Sequence, residues 1–83
     1  MNTFNLNSKE TFLDLSAQDQ EGIKSFLANC SPEEMVAVRL QDSENGECLY
    51  GCYSLTADEY YSYMQSGGTW SHIPAKKIKS LIL

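Results

Sequence analysis

The apolar positions of this chain change period several times, and each change marks an element. Over 16–30, "SAQDQEGIKSFLANC", Ile23, Phe26, Leu27 and Cys30 recur at i, i+3, i+4 and i+7, the spacing of one helical face. Ser16 is suited to cap this helix, with Asp19 three residues on, while Gln18, Gln20, Glu21 and Lys24 point to water. Gly22 interrupts the pattern at a cost of roughly 1 kcal/mol relative to Ala.

"SPEE" at 31–34 carries helix-start signals, yet "MVAVRLQD" behind it alternates. Val36, Val38 and Leu40 fall on one side, Ala37, Arg39 and Gln41 on the other, and β-branched valines favour extended backbone. The reading is a brief turn at 31–34, then a strand over about 35–42. A second strand, about 47–55, follows "SENGE", where Asn45–Gly46 supplies the positive φ of a tight hairpin turn. "TADEYYSYMQSGG" predicts a helix over 57–66, capped by Thr56, boxed by Glu59 and stopped by Gly67. Ala57, Tyr60, Tyr61 and Met64 share a face of it, with Tyr63 on the flank.

The end, "TWSHIPAKKIKSLIL", supports either a helix begun by Pro74 or a short turn at 74–77 with a buried closing strand. The strand is favoured, because a terminal apolar run such as "SLIL" must be covered. Thr3–Leu6 reads as an edge strand, and Phe12, Leu13 and Leu15 as core. The expected fold is α+β in one compact domain, 1–83. It has a small antiparallel sheet, made of the central hairpin (about 35–55) plus a C-terminal strand. Two helices, about 17–30 and 57–66, pack on one face.

Length tightens this picture. An 83-residue chain buries only somewhat more than ~60% of its unfolded surface, so its core is thin and a deep cleft is hard to build. Hydrophobic content of 42% with 20% charged residues argues against disorder. No apolar run approaches the ~20 residues of a membrane-spanning helix. The start, "MNTFNLNSKETF", lacks the basic and apolar stretches of a secretory signal. Three cysteines make a poor disulfide framework, so free thiols and a reducing cytoplasm are expected.

Charge is uneven within the net −5. Residues 1–59 hold all eleven acids, and residues 60–83 hold none but carry Lys76, Lys77 and Lys79. An acidic body is repelled by phosphate backbones and drawn to basic proteins, and three lysines are too few for a nucleic-acid footprint.

Candidate chemistry changes little. His72, the one histidine, could serve as a general base, and three thiols could be nucleophiles, but no cysteine begins a helix or sits on a Gly-flanked elbow. Cys30 ends a helix, where the partial negative charge disfavours a thiolate. Cys48 and Cys52, four apart on a strand, would lie ~13 Å from one another, too far to share a tetrahedral metal. "QSGGTW" lacks a phosphate-loop lysine. The pairs Glu33/Glu34 and Asp58/Glu59 are explained by helix starts. No catalytic residue, metal or cofactor is assigned.

What stands out is aromatic. All five tyrosines, at 50, 53, 60, 61 and 63, and Trp70 fall between 48 and 70, more rings than so small a core can hold. Exposed Tyr and Trp are typical interface anchors. The expectation is therefore a non-catalytic, acidic protein-interaction module, an inhibitor or modulator of the kind phage and mobile elements use against host defence. It docks on a basic, nucleic-acid-handling protein and binds neither nucleic acid nor membrane itself, and a homodimer is compatible. The partner-binding residues are Tyr53, Tyr60, Tyr61, Tyr63 and Trp70, with Asp42, Glu44, Glu47, Asp58 and Glu59 alongside. The alternative is a small-ligand or thiol-dependent module that uses an aromatic pocket with Cys48, Cys52 and His72.

Overall fold

The alternating strand organises the molecule. A computed structural model describes residues 3–42 and 48–83. Along the chain come β1 (Thr3–Asn5), α1 (Lys9–Leu13), α2 (Ala17–Ala28), β2 (Met35–Asp42), β3 (Cys48–Leu55), α3 (Ala57–Gln65), β4 (Ile73–Pro74) and α4 (Ala75–Ile82). β2 is central: β3 pairs antiparallel along its whole length, from Met35↔Leu55 to Asp42↔Cys48. β1 and β4 share its other edge, through Phe4↔Leu40 and Val36↔Ile73, also antiparallel. The α+β class and the antiparallel sheet are as expected. The Asn45–Gly46 turn lies outside the described residues.

Val36, Val38 and Leu40 point to one side and are fully buried. They meet Phe12 of α1, Ile23 and Leu27 of α2, and Ala75, Ile78 and Ile82 of α4 in a single core. Burying a Leu-sized side chain is worth about 1.5–3 kcal/mol, so this layer supplies most of the apolar driving force. Ser8 and Ser16 start α1 and α2 by accepting the backbone N–H of Thr11 (3.2 Å) and Asp19 (3.1 Å). Gly22 has a packing reason: any Cβ there would collide with the Tyr50 hydroxyl, which β3 leans over α2.

Three expectations are corrected. The C-terminal segment is a helix, not a closing strand; only Ile73 and Pro74 join the sheet. Ala75, Ile78 and Ile82 are spaced i, i+3, i+7 and face the core, so of "SLIL" only Ile82 is buried, with Leu81 half-buried and Leu83 exposed. α4 has no side-chain cap. Its first N–H groups instead donate to the 31–34 turn, Ala75 to the Glu34 carbonyl (2.8 Å) and Lys76 to that of Pro32 (3.2 Å), while Lys79 Nζ donates to the Cys30 carbonyl (3.1 Å). That turn is closed by Glu34, whose carboxylate accepts from the Ser31 N–H (3.1 Å) and hydroxyl (3.2 Å), and these bonds hold its carboxyl below the usual range.

Second, Leu13 is exposed, because a five-residue helix presents only Phe12 inward. Third, α3 contributes nothing to this core. Its inward rings are Tyr60 and Tyr63, both against His72 (centroids 5.5 and 5.4 Å). Tyr61 and Met64, which share the expected apolar face with Tyr60, are exposed. α3 belongs with residues 67–72, on the other side of the sheet from α2.

Two stability outcomes follow. Ile78→Ala leaves a void between α4 and the valine face and should cost about 2–5 kcal/mol in urea unfolding. Gly67 has φ +87°, its N–H donates to the Met64 carbonyl and that of Gly68 to Tyr63, the bonding of a left-handed helix terminator. Gly67→Ala should therefore lose about 1 kcal/mol by the same measurement.

Candidate binding cleft

The second face of the sheet carries the alternate residues. Ala37 and Arg39 of β2 stand beside Tyr53 and Gly51 of β3, and Asn5 of β1 faces Arg39. After α3 the chain turns at Gly67 and returns across this face. Gly68 lets it pass close to Tyr63, whose ring any Cβ there would strike. The Tyr63 hydroxyl then accepts the backbone N–H of Trp70 (2.9 Å) and fixes where that residue sits. Trp70 meets Tyr53 edge-on, centroids 5.2 Å apart at 69°, and carries the Arg39 guanidinium over its own ring at 4.4 Å. Edge-to-face rings and a guanidinium over an indole are both favourable quadrupole arrangements.

His72 is buried behind this group. Its Nδ1 lies 3.3 Å from the Trp70 carbonyl, and its ring is held between Tyr60 and Tyr63. The result is an open cleft of about 630 Å3, walled by Tyr53, Tyr63, Trp70 and Leu55 with Arg39 and His72 in its lining. Phe26, Cys52 and Ser54 extend the wall from the other side of β3. The lining is mainly apolar with a few polar groups, the composition typical of ligand and partner pockets.

Tyr53, Tyr63 and Trp70 are thus brought together, and Tyr60 supports them through His72. Tyr61, 67% exposed, points away. Asp42 is exposed at the end of β2 and Asp58 at the start of α3. Glu59 is committed to the α3 cap: its carboxylate accepts the Thr56 N–H (2.8 Å) while its own N–H donates to the Thr56 hydroxyl (3.2 Å). Glu44 and Glu47 lie outside the described residues. Arg39 was not singled out from the sequence, although its place opposite the valines and level with the tyrosine strand was legible there.

The thiols are subdued. Cys30 and Cys52 are free. Burial, with Cys30 close by, pushes the Cys52 thiol up to about 11. Burial and the neighbouring Glu34 carboxylate raise Cys30. The Cys48 side chain, expected to contribute to the alternative thiol site, lies outside the described residues. Among the described residues, no three of His, Cys, Asp and Glu gather to hold a metal ion. No helix of the described residues is long and apolar enough to cross a membrane. Compared with known proteins, the chain matches no family model, no curated protein and no solved structure.

Since the thiolate is the reactive form, the Cys52 shift has a measurable sign. Alkylation of native protein, read by peptide mass mapping, should leave Cys30 and Cys52 unmodified near neutrality. Cys52 labelling should climb about tenfold per pH unit towards its raised value of about 11. The folded state holds that proton longer than the unfolded chain, so the contribution to stability is complete below the ordinary thiol range and lost above it. Rapid labelling of Cys52 at neutral pH would contradict this assignment.

Proposed function

We propose that this chain is a non-catalytic interaction module that docks on another protein through the Tyr53–Tyr63–Trp70 cleft and modulates or inhibits it by occupancy. The observation that carries the reading is convergence. Three rings from three separate segments frame one open apolar hollow, with Tyr53 still 48% exposed. Aromatic side chains that bring large area at low entropic cost are what interface hot spots are made of. The net charge of −5, with Asp42 and Asp58 exposed, favours a partner whose surroundings are basic and speeds its approach. A nucleic-acid-handling protein has such surroundings. The free cysteines suit a reducing compartment such as the cytoplasm.

A second reading is supported by one specific feature. The cleft volume falls within the roughly 300–1,000 Å3 of small-molecule sites, and Cys52 and His72 both reach it. The raised thiol argues against Cys52 as a nucleophile there, which leaves a ligand-binding role for this alternative.

The test is position-specific photo-crosslinking in the source cell. Benzoylphenylalanine at Tyr53 should capture a partner protein, and the same group at the exposed Ala28 of α2 should not. Tyr53→Ala should weaken capture of that partner by about tenfold or more. Equal capture from both positions, or none from Tyr53, would falsify the assignment of this face. Small-molecule adducts in place of protein would favour the second reading.

A further inference from the structure

Among the described residues, Arg39 is the only arginine or lysine lining the cleft, and its surroundings leave it incomplete. Its Nε is buried and has no hydrogen-bond partner among the described residues. The only ion pair among those residues is Lys24 with Glu21 (3.9 Å), on α2. Trp70 offers its ring to the guanidinium at 4.4 Å, but an aromatic face provides no acceptor for the in-plane N–H groups. A guanidinium presents five such donors in a rigid fork that matches a carboxylate bidentately. A buried donor left unmatched is costly, and the half-buried Arg39 lines the cleft, where a ligand can supply an acceptor to the guanidinium.

The shape of the site says more. Arg39 lines the 630 Å3 cleft and also two smaller adjoining hollows. One, of about 210 Å3, is bounded by Phe4, Asn5 and Trp70. The other, of about 120 Å3, is bounded by Tyr50, Gly51 and Tyr53. One positive charge therefore sits where three depressions share a residue, the large one mainly apolar and the two small ones mixed, with Thr3 and Thr69 in one and Gln41 in the other. That suits an elongated occupant with a single acid at its centre and apolar side chains to either side. A nucleic-acid or phosphate ligand fits poorly: it brings more negative charge than one guanidinium can match, against a body already at −5.

We infer that Arg39 anchors an acidic side chain of the partner, carried on an extended segment whose flanking apolar residues fill the hollows beside Tyr53 and Trp70. This rests on the docking reading above and names what that site selects. Arg39 is the specificity-determining residue, and the rings provide contact area. The wider partner surface can be basic while this one segment bears the acid.

The decisive experiment uses two blocked peptides of equal shape, N-acetyl-Leu-Glu-Leu-amide and N-acetyl-Leu-Gln-Leu-amide. Each is titrated into the full-length 15N-labelled chain and followed by amide shifts. The Glu peptide should bind about fivefold or more tightly, with shifts centred on Arg39, Tyr53 and Trp70. The preference should shrink in high salt. Arg39→Gln, with its fold checked by spectral dispersion, should erase the preference. Arg39→Lys should retain part of it, since the charge stays and the fork is lost. Equal binding of the two peptides, no shift from either, shifts centred elsewhere, or an undiminished preference in folded Arg39→Gln would each overturn the inference. So would self-association abolished by Arg39→Gln, which would make a second copy the occupant. If any of these occurs while the Tyr53 crosslink to a partner protein persists, only the acid-anchor inference falls. If that crosslink is missing too, the docking face itself is wrong.

Discussion

Everything in this molecule depends on β2 having both sides occupied. Its odd-even alternation sends Val36, Val38 and Leu40 into the helical layer and leaves Ala37 and Arg39 on the opposite face. A slip of one residue would exchange these sets, putting a guanidinium into the core and valines under the indole. Pairing on both edges blocks that slip: β3 runs its full length, and β1 and β4 divide the other side. The core layer stabilises the fold, and the same register holds the Arg39 face in place.

The C-terminal helix shows how a thin core is completed. α4 brings Ala75, Ile78 and Ile82 to the valines, but its entry depends on a turn more than forty residues earlier in the chain. The 31–34 carbonyls accept the N–H groups that no side chain caps, so the turn serves one helix by closing β2's start and another by capping it. This explains why "SPEE" looks like a helix start and is none. Glu34 folds back on Ser31 as a capping acid would, but the chain then extends under the pull of Met35–Asp42 pairing.

Much of this was legible in the pattern of residues. The β2 and β3 spans, the capped start of α3 and the stop at Gly67 follow from alternation and capping chemistry that act locally. At the end of the chain the "SLIL" run favours a strand, whereas the spacing that decides is that of Ala75, Ile78 and Ile82. Its cap lies in tertiary structure and leaves no local mark. The face of α3 shifted from Met64 to Tyr63 for a related reason: the return at Gly67–Gly68 draws the chain over Tyr63, and a helical wheel cannot see what comes back to cover it. That rings would remain at the surface could be argued from size. That they would enclose Arg39 could not, since cation and indole are thirty-one residues apart and meet only through the fold.

Trp70 is the sole tryptophan of the chain, and it stands in the cleft with a guanidinium above it and a phenol ring at its edge. Its ultraviolet emission therefore comes from one known place. Whatever enters the hollow changes the polarity and quenching around that indole, so the unlabelled protein carries its own optical gauge of occupancy.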